Sequence, residues 1–569
     1  MSLPTTGRRR TWAPPLAALL TFLVGVLNLA SALTKENRGR LDALTSVVPG
    51  ALTTASTGVT VVTGLVLVLV SHGLARRKRR AWRITVGLLA GSVVLHVLKG
   101  LDVEEALVAA ALLGLLVHLR DEFQAAGDPR TRWRALAVLS YLLLADLVLG
   151  LLLLTLRDAD GSLLDRLQHV VYGLVGVSGP VMFATGHDDD VVSAVLFAMG
   201  LLTVLLPAYL VLRPAEPTAT LSQEDEQQLR RLLAAQGGRD SLGYFALRRD
   251  KSVVWSPTCK AAVSYRVVSG VCLASGDPIG DPEAWPGAIT AMLELADRHA
   301  WVPAVMGCSE LGGTAWHRAG LQALELGDEA VLETGCFSLE GRAMRGVRQA
   351  VRRVERAGYT CRVRRVGELT PDELDEVRRV AQSWRDGETE RGFSMALGRF
   401  GDPADGECVL VTAECEGRLR GLLHFVPWGA DGLSLDLMRR DRAAENGVNE
   451  LLVAAAVRAS ADLGVQRLSL NFAVFRSALE RGERLGAGPI TRAWRSLLVF
   501  ASRWWQIESL YRFNAKFGPV WEPRFVCFRN SRDLPRVAVA ALEAEAFLVW
   551  PDLSPRPLVR RLVRVQHPA

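Results

Sequence analysis

The chain has 569 residues and a formal net charge of +7, with 49% of its residues hydrophobic and 22% charged. A single domain rarely reaches this length. Residues 1–212 consist mostly of long apolar blocks, whereas residues 213–569 have the mixed composition of a soluble protein. This uneven distribution excludes both an entirely soluble and an entirely membrane-embedded protein. It predicts an α-helical membrane domain, residues 1–212, joined to a soluble region.

Six apolar blocks in the first 212 residues approach the length of about 20 residues that a membrane-spanning helix needs. They are Pro15–Leu33, Ala51–Val70, Ile84–Leu98, Ala106–Leu119, Ala135–Leu156 and Val191–Leu212. We therefore predict about six spans. The segment Val170–Ala184 is also apolar, but it is short and contains glycine and proline. We interpret it as re-entrant or interfacial.

Basic loops alternate with mixed or acidic loops between these blocks. "GRRR" precedes the first block, "ARRKRRAWR" follows the second and "DPRTRWR" precedes the fifth. Loops rich in lysine and arginine remain in the cytoplasm. Six spans with the N-terminus inside then place residues 213–569 in the cytoplasm as well.

Cysteine and histidine usage indicates no metal site. All eight cysteines lie at or after Cys259 without a CxxC pair, and the nine histidines are scattered. Cysteines of a cytoplasmic domain are expected to be reduced, and none of these spacings is typical of metal ligands. The sequence therefore predicts neither a metal nor a cofactor.

The soluble region begins with a Pro/Thr-rich linker, residues 213–225, and then repeats one pattern twice. Each pass reads as strand hairpin, strand, helix and strand, the order of an N-acetyltransferase-like core. We predict α+β tandem N-acetyltransferase-like (GNAT) domains at residues 226–340 and 367–533, of which the second is catalytic. Residues 534–569 are predicted to form a C-terminal helix and a basic tail.

Residues 341–366, a basic helix and connector between the two domains, contain nine arginines against one acidic residue, Glu355. Helical periodicity places five arginines on one face and an apolar stripe on the other. That arginine face comprises Arg342, Arg345, Arg348, Arg352 and Arg356. It is either a solvated surface or a binding site for an RNA backbone or anionic lipid headgroups. The lack of acidic residues on this face favours anion binding.

A predicted strand, "LSLDLM", ends just before a helix that opens at Asn446 and Gly447. Ligands bind at this edge of such sheets, so Asp436 and Arg439 lie at a candidate site. A CoA-dependent acetyltransferase carries a glycine-rich loop at this turn, but "RRDRAAENGVNE" has a single glycine among several acids. This difference argues for an acyl donor other than CoA.

The segment Glu508–Val526 is a second candidate region, because it sets polar residues among large aromatic ones. The polar residues are Glu508, Arg512, Asn514, Lys516 and Arg524. Such a mixture suits a pocket wall. A helix end followed by a proline-bounded loop and a final strand would also explain the aromatic residues, but not so many neighbouring charges.

Four stretches, "GDPIGDP", "FSMALGRF", "LDLMRRD…NGVNELL" and "LYRFNAKFGPVWEPRFV", resemble the catalytic domain of the bacterial phosphatidylglycerol lysyltransferases. These enzymes are also known as aminoacyl-phosphatidylglycerol synthases or the multiple peptide resistance factor family. The resemblance covers roughly Leu221–Asp533 and the preceding spans. The last stretch is long and specific, whereas "GDPIGDP" alone would be a weak signal.

The resemblance implies a multi-pass protein of the bacterial cell membrane that transfers an aminoacyl group from a charged tRNA to a hydroxyl of phosphatidylglycerol. Asp436, Arg439 and Lys516 match its catalytic motifs. Asp436 would act as general base or bind the ammonium group of the amino acid, while Arg439 and Lys516 would orient phosphate or the tRNA terminus. The remaining substrate-binding candidates are Asn446, Glu450, Asn471, Glu508, Arg512 and Asn514, with Glu450 suited to a cationic side chain.

Lysine as the transferred amino acid, and lysyl-tRNA as its donor, rest on the resemblance alone. This chain lacks the additional spans of the larger, flippase-like members, and we expect a separate synthetase to charge its tRNA. Two alternatives remain open. One is aminoacyl transfer to another lipid or a peptidoglycan precursor, and the other is a non-catalytic, membrane-attached anion-binding module.

Overall fold

The computed structural model describes residues 12–33, 50–99, 103–123, 130–157, 161–183, 186–212, 217, 219–385, 392–474 and 507–548. The chain divides into two compact units, a helical N-terminal unit and a unit built around a β-sheet. Each of the six predicted apolar blocks falls in a helix of the first unit. These helices are Ala13–Leu33, Gly50–Ala75, Arg79–Lys99, Val103–His118, Arg130–Leu156 and Gly186–Leu212, and Leu163–Leu174 is a further, shorter helix.

Three stretches of the described helices are long and apolar enough to cross a membrane: Ala13–Ala30, Ala135–Leu156 and Asp188–Val211. Thr60–Ala75 and Ala106–His118 are shorter apolar helical stretches. A membrane-spanning region is thus present, while the number six stays a prediction. Within Val170–Ala184, the helix ends at Leu174 and residues 175–183 are not helical.

One polar contact joins two of these membrane-spanning stretches. Thr203 donates a hydrogen bond of 2.7 Å to the carboxylate of Asp146, and both side chains are buried. A polar group within a bilayer needs such a partner because no water is available to it. The contact therefore links helix Arg130–Leu156 to helix Gly186–Leu212.

Twelve strands of the second unit form one continuous sheet. The strands are β1 (Ser252–Trp255), β2 (Ala261–Val268), β3 (Val271–Ser275), β4 (Ile279–Gly280), β5 (Val302–Cys308), β6 (Gln322–Glu333), β7 (Thr360–Arg365), β8 (Val409–Cys415), β9 (Arg418–Trp428), β10 (Gly432–Arg440), β11 (Arg467–Val474) and β12 (Val520–Phe528). Their order is β1-β2-β3-β5-β12-β6-β11-β10-β9-β8-β7, with β4 paired to β2.

The sheet repeats one arrangement in its two halves. Each half has one parallel pair, β3 with β5 and β10 with β11, amid antiparallel neighbours. The halves exchange strands at the centre, because β12 lies between β5 and β6, and β6 lies between β12 and β11. The predicted doubling of a GNAT-like core is confirmed. The boundaries 226–340 and 367–533 stay predictions, since strands from both ranges complete each half.

Helices cover both faces of the sheet. They are Gln223–Gln236, Trp285–His299, Glu310–Arg318, Arg345–Arg356, Pro371–Ser383, Val448–Arg458, Ser460–Leu463, Ile507–Ala515 and Leu534–Ala544. Successive residues of β8 and β9 alternate between two hydrophobic cores, as the period of a strand requires. One core packs helices Arg345–Arg356 and Val448–Arg458. The other packs helix Pro371–Ser383 on the opposite face.

The segment 341–366 departs from the single amphipathic helix expected from its arginine pattern. Helix Arg345–Arg356 forms only the middle of it, and Arg342 lies in the turn before that helix. Gly358 follows the helix with a φ of 84°, a conformation that favours glycine. The remaining arginines then enter β7 at the edge of the sheet, where positive charge discourages pairing with another strand.

A buried ionic network joins the four central strands. Arg524 of β12 is 2% exposed, and its guanidinium lies 2.7 Å from Asp240 and 2.9 Å from Glu329 of β6. It also donates to the carbonyl of Gly307 in β5, while Ser469 of β11 donates to Glu329. Arg524, expected to line a pocket wall, is therefore a central structural residue.

We predict that Arg524→Met lowers the free energy of unfolding of this unit by about 3–5 kcal/mol, because it leaves two buried carboxylates without a countercharge. The detergent-solubilised full chain, followed in urea by hydrogen exchange of the β5 and β12 peptides, measures the change. Arg418→Met, at an exposed arginine, is the control and should change stability by about 0.5 kcal/mol or less. An equal effect of both substitutions would contradict the importance of the network.

Candidate functional site

Asp436 and Arg439 share one face of the sheet because β10 contains a bulge. Residues three apart in a regular strand point to opposite faces, but the register of β10 against β9 shifts between Leu435 and Leu437. The additional residue brings Arg439 back to the face of Asp436. This is the face covered by helix Pro371–Ser383, whose Ala381 carbonyl accepts a 2.9 Å hydrogen bond from Arg439.

Both oxygens of the buried Asp436 carboxylate have partners. Oδ2 lies 2.7 Å from Nδ1 of His424 on β9, and Oδ1 accepts a 2.6 Å hydrogen bond from the amide of Leu397. Burial by itself lowers the pKa of His424, but the hydrogen bond that His424 donates to Asp436 and the neighbouring Cys408 outweigh burial and raise it to about 10. His424 is therefore an imidazolium at neutral pH.

β10 and β11 part next to Asp436. Their parallel pairing ends at Ser434 and Ser469, although both strands continue for several residues. We call the space beyond these two serines the interstrand gap. β11 is bulged there, with Asn471 at a φ of 67°, and the Asn471 amide donates to the Leu435 carbonyl across the gap.

Lys516 lies on the other face of the sheet from Asp436 and Arg439. Its ammonium group is 2.9 Å from Glu450, in the first turn of helix Val448–Arg458. Asn514 is buried nearby and donates to the Leu470 carbonyl at 3.3 Å. The predicted catalytic residues thus fall into two groups on opposite sides of β10 and β11, and Glu450 already has a cationic partner.

The remaining predicted substrate-binding residues are more peripheral. Asn446 is exposed, and its backbone carbonyl accepts a hydrogen bond from Arg353. Arg512 is exposed on helix Ile507–Ala515. Glu508 belongs to the same helix, but its side chain lies outside the described residues.

Helix Arg345–Arg356 packs its apolar face against the core and leaves most arginines outside, as expected from the sequence. Val347, Val351 and Val354 are buried, whereas Arg342, Arg345, Arg352 and Arg356 are exposed. Arg348 is partly buried, and it donates to the Leu339 and Gly341 carbonyls.

This helix contacts the start of helix Val448–Arg458. Gly447 begins that helix at a φ of 107°, and a Cβ there would lie 3.1 Å from the Cβ of Ala350. The arginine face is thereby fixed relative to the turn that follows β10.

A cavity of about 320 Å³ lies elsewhere in this unit. It is lined by residues that precede or begin β10 and β11, including Gly432, Leu433 and Val465, and by Arg230 and Tyr244. None of the predicted site residues lines it. In the described part of the chain, no group of three or more His, Cys, Asp or Glu residues is arranged to bind a metal ion.

Sequence reasoning missed His424 and the loop of residues 392–399. A lone histidine in an alternating strand gives no signal of its own, because its partner, Asp436, lies on the next strand. The resemblance did single out "FSMALGRF" within that loop, but the contact of Leu397 with Asp436 depends on the fold.

We predict that His424 makes stability decrease with rising pH. Its pKa is about 10 in the folded chain, against an ordinary value of 6.5. Its stabilisation is therefore complete below about 6.5 and is lost as pH rises toward 10. Buried Lys251, whose pKa burial lowers from 10.5 to about 7, acts in the opposite direction above pH 7.

Comparison with His424→Asn isolates the contribution of His424 to the pH dependence of stability, because Lys251 is present in both chains and its contribution cancels. Thermal unfolding of the detergent-solubilised full chain between pH 6 and 10 provides the measurement. The stability difference between the wild-type chain and the variant should shrink steadily with pH, by an amount on the order of a few kcal/mol. A difference that stays constant over this range would contradict the imidazolium–carboxylate pair.

Comparison with known proteins relates both parts of the chain to lipid-modifying enzymes. Residues 230–528 match the family model "Phosphatidylglycerol lysyltransferase, C-terminal", and residues 9–212 match "Transmembrane region of lysyl-tRNA synthetase". The lysylphosphatidylglycerol biosynthesis bifunctional protein LysX of Rhodococcus opacus is 47% identical over 498 residues, which cover 86% of this chain and 44% of that protein.

The LysX protein of Mycolicibacterium gilvum is likewise 47% identical over 502 residues, covering 85% of this chain and 45% of that protein. The chain thus spans less than half the length of these relatives. The structure of L-PGS from Bacillus licheniformis matches with a TM-score of 0.50 and 22% identity, over 58% of this chain and 98% of that one. This last similarity supports the fold alone.

The transmembrane match and the apolar helices identify a membrane protein. Because the lysyltransferase model covers more than half of its residues, the chain belongs to the phosphatidylglycerol lysyltransferase family.

Proposed function

We propose that this protein transfers an aminoacyl group, lysyl in the first instance, from aminoacyl-tRNA to phosphatidylglycerol. The observation that carries the proposal is the interstrand gap, with Asp436 and Arg439 beside it on one face and Lys516 with Glu450 on the other. An acyl ester that enters such a gap meets polar groups from both faces. The family and the names of its relatives support lysine and phosphatidylglycerol.

The reaction exchanges one ester for another. A glycerol hydroxyl oxygen bonds to the ester carbonyl carbon, the bond from that carbon to the ribose oxygen breaks, and the hydroxyl proton ends on the ribose oxygen. A carboxylate near the hydroxyl assists by taking the proton, and cations stabilise the developing oxyanion. We propose Asp436 as the general base or as the group that binds the ammonium of the amino acid, with Arg439 and Lys516 as the cations.

The exposed arginines of helix Arg345–Arg356 are proposed to bind the tRNA backbone. Their charge is not offset by acidic residues on the same face, and phosphate contacts supply most of the sequence-independent affinity for nucleic acids. The helix contacts the turn after β10 through Gly447. A tRNA bound to this face would therefore be held in a fixed position relative to β10, which borders the interstrand gap.

The proposed location is the cytoplasmic face of a bacterial membrane, where aminoacyl-tRNA and the anionic lipid are both available. Alternating basic loops support six spans with a cytoplasmic N-terminus, and a separate synthetase would supply the charged tRNA. The lipid phosphate keeps its negative charge, but the attached lysyl group carries two ammonium groups, so the product would make the membrane surface less negative.

The decisive experiment supplies membranes containing the chain with phosphatidylglycerol and with tRNA charged separately with labelled lysine, alanine or arginine. We expect ribonuclease-sensitive transfer of labelled lysine into the chloroform-soluble lipid. Label from a different amino acid would correct the donor. A folded chain that transfers no label to phosphatidylglycerol would contradict the proposal and leave another acceptor or a binding module.

We predict that the triple substitution of Arg345, Arg352 and Arg356 by serine raises the KM for charged tRNA at least about tenfold and reduces its salt dependence, because each phosphate contact releases counterions. Transfer assays at several salt concentrations measure both quantities. The matched control replaces Arg231, Arg318 and Arg418, three exposed arginines elsewhere in the unit. Equal losses in both triple variants would contradict a specific tRNA surface on this helix.

A further inference from the structure

We propose that His424 is a positioning residue for this transfer: together with the Leu397 amide it holds the two oxygens of Asp436 and fixes that carboxylate relative to Arg439. The inference rests on the proposed function and adds to it a residue outside the motifs of the family resemblance. His424 is 1% exposed, so it acts through Asp436 rather than on the substrate.

The geometry of His424 leaves it little freedom. It sits on β9 opposite Leu437, directly beside the bulge that turns Asp436 toward it. Phe400 packs edge-on against the imidazole at 4.9 Å between ring centroids, and Nδ1 reaches Asp436 at 2.7 Å. A bulged strand has fewer ladder hydrogen bonds to hold it. The contact with His424 thus fastens the bulge to the neighbouring strand.

Asp436 also connects this pair to the loop of residues 392–399. Three charged side chains form hydrogen bonds to the described backbone of this loop: Asp436 to Leu397, Arg248 to Ala396, and Glu545 to Phe393 and Ser394. Arg399, at the end of the loop, is in addition paired with Asp405 and Glu226. Asp436 differs from the other two anchors because it shares its strand with Arg439. A shift of its carboxylate would therefore move the loop and the strand end together.

The charge of His424 explains why a histidine suits this place. A buried carboxylate without a countercharge is costly, and the amide of Leu397 supplies only a neutral hydrogen bond. The imidazolium persists at neutral pH because the pKa of His424 is raised to about 10. Removing both this charge and the Nδ1 donor should leave Asp436 free to rotate toward water and to release Leu397.

The test compares His424→Ala, His424→Asn and Val426→Ala in the full chain. The asparagine amide retains a donor near the position of Nδ1. Val426 is the matched control, because it is fully buried on the same face of β9 and packs in the same core. Two readouts are needed: kcat and KM for labelled transfer into phosphatidylglycerol, and hydrogen exchange of the peptide covering residues 392–399.

For His424→Ala we expect kcat to fall on the order of 10²-fold with little change in KM, as for a misplaced catalytic group. Exchange of the 392–399 peptide should accelerate at least about tenfold. His424→Asn keeps a donor for Asp436 but not the positive charge, so it should recover part of both losses. Val426→Ala should keep kcat within about threefold of the wild-type value, although it removes buried methyl groups.

Unchanged exchange and kcat in His424→Ala would overturn the inference. So would equal losses in His424→Ala and His424→Asn, or in His424→Ala and Val426→Ala. A wild-type chain that transfers no label contradicts the proposed function instead. In that case the exchange measurements alone decide whether His424 holds Asp436 and the 392–399 loop in place, because they need no substrate.

Discussion

The contact between Arg524 and the carboxylates of Asp240 and Glu329 is the constraint on which the sheet depends. It lies where the two halves exchange strands, and it reaches β5, β12, β6 and β11 through a few side chains. Such a buried network is costly unless every member is satisfied. The two halves of the sheet must therefore be in register before the network can form, which ties the position of β11, and with it the interstrand gap, to the centre.

The sheet also separates the polar groups of the site. Asp436 and Arg439 belong to the face of one hydrophobic core, and Lys516 with Glu450 to the face of the other. The parallel pairing of β10 with β11 ends beside Asp436, at Ser434 and Ser469. An aminoacyl ester and a lipid headgroup differ in chemistry, so a reaction between them would suit polar groups on both faces of a sheet.

The sequence predicted the coarse organisation well, because hydrophobic period and length report directly on spans, strands and helices. The apolar blocks coincide with helices, and the strand and helix order of both GNAT-like halves is present. The exchange of β6 and β12 between the halves could not be predicted from the sequence, because the alternation of residues along a strand is the same whichever half the strand joins. Arg524 was assigned to a pocket wall for a related reason, because its charge suggested contact with a ligand. The fold shows instead that it is buried and paired with the carboxylates of Asp240 and Glu329.

The sequence placed Asp436 and Arg439 correctly near a strand end, but it did not identify His424 and Leu397 as the residues that contact Asp436. A single bulge between Leu435 and Leu437 decides which face of the sheet Arg439 occupies. No pattern of residues in β10 predicts this bulge. His424 could not be identified from the sequence, because its importance depends on its contact with Asp436, which lies twelve positions later on another strand. Lone polar residues in strands acquire a function only through such pairings.

The strand exchange has a consequence for how the protein is made. β5 ends at Cys308, whereas its partner β12 begins at Val520, so a ribosome must add more than two hundred residues before that edge can be covered. During this interval the nascent chain presents an uncovered strand edge of the kind that promotes aggregation. Completion of the first half thus requires β12, the last strand of the sheet in chain order. Because β12 carries Arg524, its addition also supplies the countercharge for the carboxylates of Asp240 and Glu329.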